Sequence, residues 1–196
     1  MSEIETSRLL LRQWKNEDLA PYTRICADPE VMRYLSGPMT PKQSEEQLSQ
    51  FVGHWEERGF GLWAVEEKSS GAFLGFVGLL YQEQWPEGRH KTEVGWRLDR
   101  SFWGRGLATE GARASLRYGF EELTLARIIS IIHPKNIASR RVAQKLGMTS
   151  RGETNFKGND VIWYAIERRE WNADALSSSE RTSQNSPSRT SRTLGE

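Results

Sequence analysis

This chain is poor in several of the features that usually announce a function. It has one cysteine, Cys26, in 196 residues. An internal disulfide is therefore excluded, which fits a reducing compartment. Its three histidines, His54, His90 and His133, are dispersed, and no Cys or His cluster has metal-ligand spacing, so no metal is expected. No run approaches the roughly 20 apolar residues of a membrane span. The opening Met1-Ser2-Glu3-Ile4-Glu5 is polar and acidic where a signal peptide would be basic and then apolar, so a cytoplasmic protein is expected. A dominant charge is also missing. With 27 basic against 26 acidic residues the net charge is +1, and no dense basic stripe lies outside the C-terminal tail. Neither nucleic acid nor an anionic membrane is drawn by a global field, and any anion must be held locally.

What is present has an order. The length suits one domain with a proper core. Arg8-Leu9-Leu10-Leu11-Arg12 reads as a first strand, followed by a helix from near Asn16 and a shorter one after Asp28-Pro29. Residues 41 to 58 read as a helix opened by Pro41 and closed by Gly59, with Leu48, Phe51, Val52 and Trp55 at helical spacing. Residues 60 to 66 and 72 to 81 form a predicted hairpin, and after a Pro/Gly loop residues 92 to 98 form another strand. A helix over 108 to 121, an apolar strand over 127 to 132, a short helix over 138 to 146 and a strand over 160 to 168 complete the series. This order predicts an α/β three-layer fold with a mixed central sheet of about six to seven strands. The domain is set at residues 1 to 173. Residues 174 to 196, rich in Ser, Thr and Arg and without aromatics, are read as a disordered tail.

One turn carries chemistry. Gly104-Arg105-Gly106-Leu107-Ala108 falls between a predicted strand and a predicted helix. Glycines let backbone N–H groups converge on an anion, and the helix behind adds roughly half a positive charge at its start. The outline is that of a pyrophosphate site, although a tight structural turn would have the same sequence. It is neither a P-loop nor a dinucleotide fingerprint, lacking the G-K-[ST] of one and the third glycine of the other. Arg105 either adds a phosphate contact or points to water.

A second element lies about 30 residues downstream, Asn136-Ile137-Ala138-Ser139-Arg140-Arg141-Val142-Ala143-Gln144-Lys145-Leu146-Gly147-Met148. With Trp103-Gly104-Arg105-Gly106-Leu107-Ala108, with the opening Thr6-Ser7-Arg8-Leu9-Leu10-Leu11-Arg12 and with Asp28-Pro29-Glu30-Val31-Met32-Arg33-Tyr34, it resembles the GNAT superfamily of N-acetyltransferases. The similarity is to the branch holding ribosomal-protein N-terminal and spermidine acetyltransferases, and it covers roughly residues 4 to 171. It implies a GNAT-type fold and acetyl-CoA as co-substrate. It also implies a pyrophosphate held by N–H groups from Trp103 to Ala108, and pantetheine amides paired with Trp96, Arg97 and Leu98. Asn136 and Ser139 match cofactor-contacting positions, and Lys145 is placed to reach a CoA phosphate. Asn136 and Ser139 would equally serve as helix caps. Two positions depart from the family pattern. Trp103 replaces a Gln or Arg, and Ala143 stands where many members carry a tyrosine that protonates the leaving thiolate.

Acetyl transfer to an amine needs a proton removed, because an amine of pKa near 10 is mostly charged at neutral pH. Glu93, on the strand entering the turn, is the candidate base or ammonium anchor, against the plainer reading of a strand-edge glutamate in an ion pair. Ser139 is the candidate for assisting the thiolate. Trp85, in its Pro/Gly loop, is the candidate for lining an acceptor pocket. The acceptor would be a protein N-terminus or a small-molecule amine, and a homodimer is compatible with the sequence. The competing reading is a non-catalytic acyl-CoA sensor or interaction module, encouraged by the absent tyrosine.

Overall fold

The computed structural model describes residues 3–171. The tail assigned to residues 174 to 196 lies outside the described residues. Eight strands form one sheet in the order β1-β2-β3-β4-β5-β6-β8-β7. They are β1 (Ile4–Glu5), β2 (Leu9–Arg12), β3 (Leu62–Glu67), β4 (Phe73–Tyr81), β5 (Thr92–Leu98), β6 (Arg127–Ile132), β7 (Thr149–Phe156) and β8 (Asn159–Glu167). The helices are α1 (Leu19–Ala27), α2 (Pro29–Met32), α3 (Pro41–Arg58), α4 (Leu107–Glu121) and α5 (Ile137–Lys145), with 3-10 turns at Asn16–Asp18 and Arg100–Phe102. None of the described helices is long and apolar enough to cross a membrane.

Three layers follow from side-chain alternation. Successive residues of a strand face opposite sides. Val77 on β4 enters a core with Leu107, Ala112, Leu116 and Phe120 of α4 and with Ala143 of α5. Its neighbour Phe76 enters a second core with Tyr22 and Cys26 of α1 and Leu48 and Phe51 of α3. The sheet is thus covered by α4 and α5 on one face and by α1 and α3 on the other. The α3 boundaries were written in the chain. Thr40 and Gln43 form a capping box, with the Thr40 N–H donating to Gln43 Oε1 at 2.8 Å, Pro41 opens the helix, and Gly59 closes it at φ 73°.

Beyond the six strands placed from the sequence, the sheet holds β1 and β7. Strand β7 reads Thr-Ser-Arg-Gly-Glu-Thr-Asn-Phe and is almost wholly exposed at the sheet edge. It lacks the apolar alternation by which a strand is recognised, and its pairing with β8 alone identifies it.

Every strand pair is antiparallel except β5 and β6. Those two are parallel and share one register pair, Glu93 with Ile129, whereas β5 pairs with β4 along all seven of its residues. Beyond Glu93 the two strands part. The sheet therefore opens a gap at the carboxyl ends of its parallel strands, the place where α/β sheets receive ligands.

Candidate active site

Both chemistry-bearing segments lie at this gap. Strand β5 runs through the Arg100–Phe102 turn into α4, and β6 runs through His133 into α5. Gly104 and Gly106 adopt φ of 74° and 78°, in the left-handed region that favours glycine. The first hydrogen bond of α4 is donated by the Glu110 N–H to the Gly106 carbonyl at 3.0 Å. Among the described residues the amides of residues 104 to 109 have no backbone acceptor. A Cβ added at Gly104 would meet nothing within 4 Å, so the turn faces open space. Six amides, a helix N-terminus and room in front of them fit a pyrophosphate.

The turn is braced from behind by the chain's beginning. Glu110, in the first turn of α4, accepts from Thr6 Oγ1 at 2.6 Å, Ser7 Oγ at 3.1 Å, the Arg8 N–H at 2.9 Å and Arg8 Nε at 2.6 Å. These donors hold its carboxyl below the usual range, although burial pulls the other way. Arg8 Nη1 also donates to the Arg105 carbonyl at 2.9 Å. The signal for this brace was present in the Thr6-Ser7-Arg8 opening, but its partner in α4 is 102 residues away and cannot be read from spacing.

On the opposite face sits Glu93. Val94 and Leu98 point into the α4-side core. By alternation Glu93 faces the α1/α3 side with Arg97, whose Nη1 donates to Gln47 Oε1 at 2.9 Å. The Glu93 carboxylate accepts from Gln82 Nε2 at 2.6 Å and from the Ile131 N–H of β6 at 3.2 Å, across the gap. Burial is the largest influence on it and pushes its pKa up to about 7, while the two hydrogen bonds and Lys157 pull down. A carboxylate tuned near neutrality in this way is suited to accept a proton at physiological pH. It is not the strand-edge ion pair of the plainer reading.

Gln82 also lines a cavity of about 410 Å³ beside Glu93, with Gln50, Phe51, His54, Tyr81 and Lys157 among its walls. His54 has no spare nitrogen. Its Nδ1 lies 2.8 Å from the Phe60 carbonyl, and its Nε2 accepts from the Tyr81 N–H at 3.0 Å. Burial keeps it neutral by lowering its pKa, and its role is to join α3 to β4.

The remaining candidates divide. Asn136 caps α5, its Oδ1 accepting the Ser139 N–H at 3.1 Å, so the capping role is realised at Asn136 and not by the Ser139 side chain. The Ser139 hydroxyl makes no hydrogen bond among the described residues and stays available. Lys145 is exposed on α5. Trp96 is half-buried and packs on the α4-side core, and the Leu98 carbonyl accepts Trp103 Nε1–H at 2.9 Å. The Trp103 N–H is committed to the Arg100 carbonyl, so the open amides begin at Gly104 and not at Trp103. Arg105 does not point freely to water, because its Nη2 pairs with Glu67. Ala143 is fully buried in the core. Trp85 is corrected. It is 2% exposed and packs edge-on against Phe156 and Trp163 over Ile129, in a third core that a Pro/Gly loop did not announce. Among the described residues no group of acidic, His or Cys side chains is placed to hold a metal.

Comparison with known proteins agrees with this geometry. The acetyltransferase (GNAT) domain family matches residues 8–149. The Bacillus subtilis protein YkkB is 37% identical over 150 residues, covering 75% of this chain and 85% of its own. The Bacillus subtilis N-acetyltransferase YnaD is 34% identical over 176 residues, covering 86% and 99%. An acetyltransferase structure from Agrobacterium tumefaciens superposes with a TM-score of 0.76 at 26% identity, covering 85% of this chain and 95% of that one.

Proposed function

This chain belongs to the GNAT family and is an acetyl-CoA-dependent N-acetyltransferase, and from that premise we propose that Glu93 is its general base and the cavity beside Glu93 its acceptor site. The observation that carries the reading is the placement of Glu93. It lies at the point where β5 and β6 part, on the face opposite the α4 turn, with its carboxylate tuned to about 7.

In this reading the open amides from Gly104 to Ala108 hold the pyrophosphate, and the free edge of β5 at Trp96 to Leu98 pairs with the pantetheine amides. The groups on that edge are those of Trp96 and Leu98, since the Arg97 backbone faces β4 and its side chain is engaged with α1 and α3. Asn136 orients the start of α5, and Lys145 lies on the solvent side for a CoA phosphate. Acetyl-CoA, when bound, supplies the activated acetyl group. The acceptor enters as an ammonium from the opposite face and gives a proton to Glu93, directly or through a water. The nitrogen lone pair then forms the N–C bond as the C–S bond breaks, and the second proton lost by the nitrogen passes to the departing thiolate, giving the free thiol. A thiol of pKa near 8.5 leaves tolerably as thiolate, so no strong acid is required where Ala143 replaces the family tyrosine. The Ser139 hydroxyl assists by hydrogen bonding, and the proton held by Glu93 returns to bulk water.

The test is the pH dependence of kcat/KM. Wild type shows an acidic limb near pH 7 from Glu93. The Glu93→Gln variant loses that limb and about 10²–10⁴-fold in rate, the range of positioned general bases. An unchanged profile and rate would count against the base. Binding of acetyl-CoA with no thiol release from any amine would return the sensor reading.

A further inference from the structure

The cavity says more about the acceptor than its size. Its polar lining is mostly neutral, with the amides of Gln50, Gln82 and Gln84 and the neutral His54. Two charged side chains complete it, Glu83 and Lys157. Neither side chain has an ion-pair partner among the described residues. They differ in their relation to Glu93. Lys157 is close enough for its charge to act on the Glu93 carboxylate, and Glu83 does not act on it. A second cation stands near the wall, since the Arg58 guanidinium lies 4.1 Å from the centre of the Tyr81 ring.

Lys157 is held at its place by the hairpin tip. It joins β7 to β8 with Gly158, at φ of 51° and 79°. Two consecutive positive φ values make a tight two-residue turn in which Asn or Gly is the usual first residue. Lysine there costs backbone strain, and its carbonyl is fixed by Asn159 Nδ2 at 3.1 Å. The tip thus brings Lys157 to the cavity wall from an unfavourable backbone conformation, with its ammonium 5.0 Å from the centre of the Phe156 ring.

Building on the assignment of the acceptor amine to Glu93, we propose that this cavity takes an amino-acid-like acceptor, a small amine whose own carboxylate is bound by Lys157. An ammonium at Glu93 with a carboxylate a few bonds away meets one group of opposite sign at each end. The Gln amides hydrogen-bond what lies between. A polyamine would instead set its second ammonium against Lys157, with Arg58 close by, and like charges there disfavour binding.

The experiment follows thiol release with acetyl-CoA on α-, β- and γ-amino acids, each paired with its carboxamide, and on a diamine. The carboxamide removes only the negative charge. Wild type favours the best acid over its amide by about tenfold or more in kcat/KM, as expected of one charge-assisted contact. In Lys157→Met that ratio falls toward one through KM, Lys157→Arg restores it, and Lys42→Met, exposed at the start of α3 and outside the cavity, keeps it. Equal use of acid and amide by wild type, preference for the diamine, or a ratio that survives Lys157→Met would each overturn the proposal. The two readings fail separately. An unchanged Glu93→Gln pH profile strikes the base, whereas an unchanged acid-to-amide ratio in Lys157→Met strikes the carboxylate contact.

Discussion

What a residue does here is set by the few atoms around it. Glu93 and Glu67 are both glutamates on neighbouring parts of one sheet, yet Ser70 and Arg105 hold the Glu67 carboxyl below its ordinary range while burial lifts Glu93. The lift has a consequence for stability. A carboxyl whose pKa rises from 4.5 to about 7 on folding binds its proton more tightly in the folded state. Its contribution is therefore fully present at low pH and is lost as pH rises from 4.5 through about 7. Glu93→Gln removes that loss. Compared with wild type, the variant should gain stability between pH 5 and pH 8, by at most about 3 kcal/mol at 1.36 kcal/mol per unit. Denaturant unfolding at the two pH values measures it, and a pH-independent difference would contradict the half-buried, desolvated placement. Trp85 teaches the same lesson from the apolar side. Its loop composition suggested a pocket, but its ring found Phe156 and Trp163.

At the scale of elements, the phosphate turn depends on a segment far from it in sequence. The Arg105 carbonyl and the first turn of α4 are tied to Thr6, Ser7 and Arg8, so the open amides are held facing outward by the connection between β1 and β2. Arg8→Met should leave Glu110 with fewer donors and the Arg105 carbonyl free to turn. Acetyl-CoA affinity is expected to weaken by about tenfold, the scale of losing a charge-assisted contact. The stability cost is small because the Arg8 side chain is 46% exposed and its pair with Glu110 is screened. Isothermal titration beside thermal unfolding separates the two, and an affinity unchanged from wild type would show that the turn holds its shape alone. The same distance explains what sequence reading could reach. The turn, its glycines and the helix behind it are contiguous and were legible, as was the capped helix from Asn136. The brace from Glu110 to Arg8 and the bond from Gln82 to Glu93 were not, because a side-chain partner across the fold leaves no local pattern.

The whole molecule is two sheet segments joined at a single register pair. Antiparallel β1 to β5 on one side and β6, β8 and β7 on the other meet at Glu93 and Ile129. A cofactor pairing with the free edge of β5 would supply the missing hydrogen bonds. Adding acetyl-CoA at a hundredfold excess over Kd should raise the unfolding free energy by about 2.7 kcal/mol. It should also slow amide exchange in β5 beyond Glu93 and at the amides of residues 104 to 109. Protection at the α4 turn without any in β5 would place the pantetheine elsewhere.

The sequence by itself determined the family and the elements other than β1 and β7, because apolar periodicity, helix caps and the spacing of the glycine turn from the Asn136 helix are all local quantities. Tertiary structure alone decided where the sheet opens, that Glu93 is desolvated at the opening, that Trp85 is core, and that Lys157 lines the cavity next to Gln82. Those depend on which strands become neighbours and on how far their register holds. Such long-range pairings are fixed by the packing of the two helical layers, and no stretch of the chain encodes them on its own.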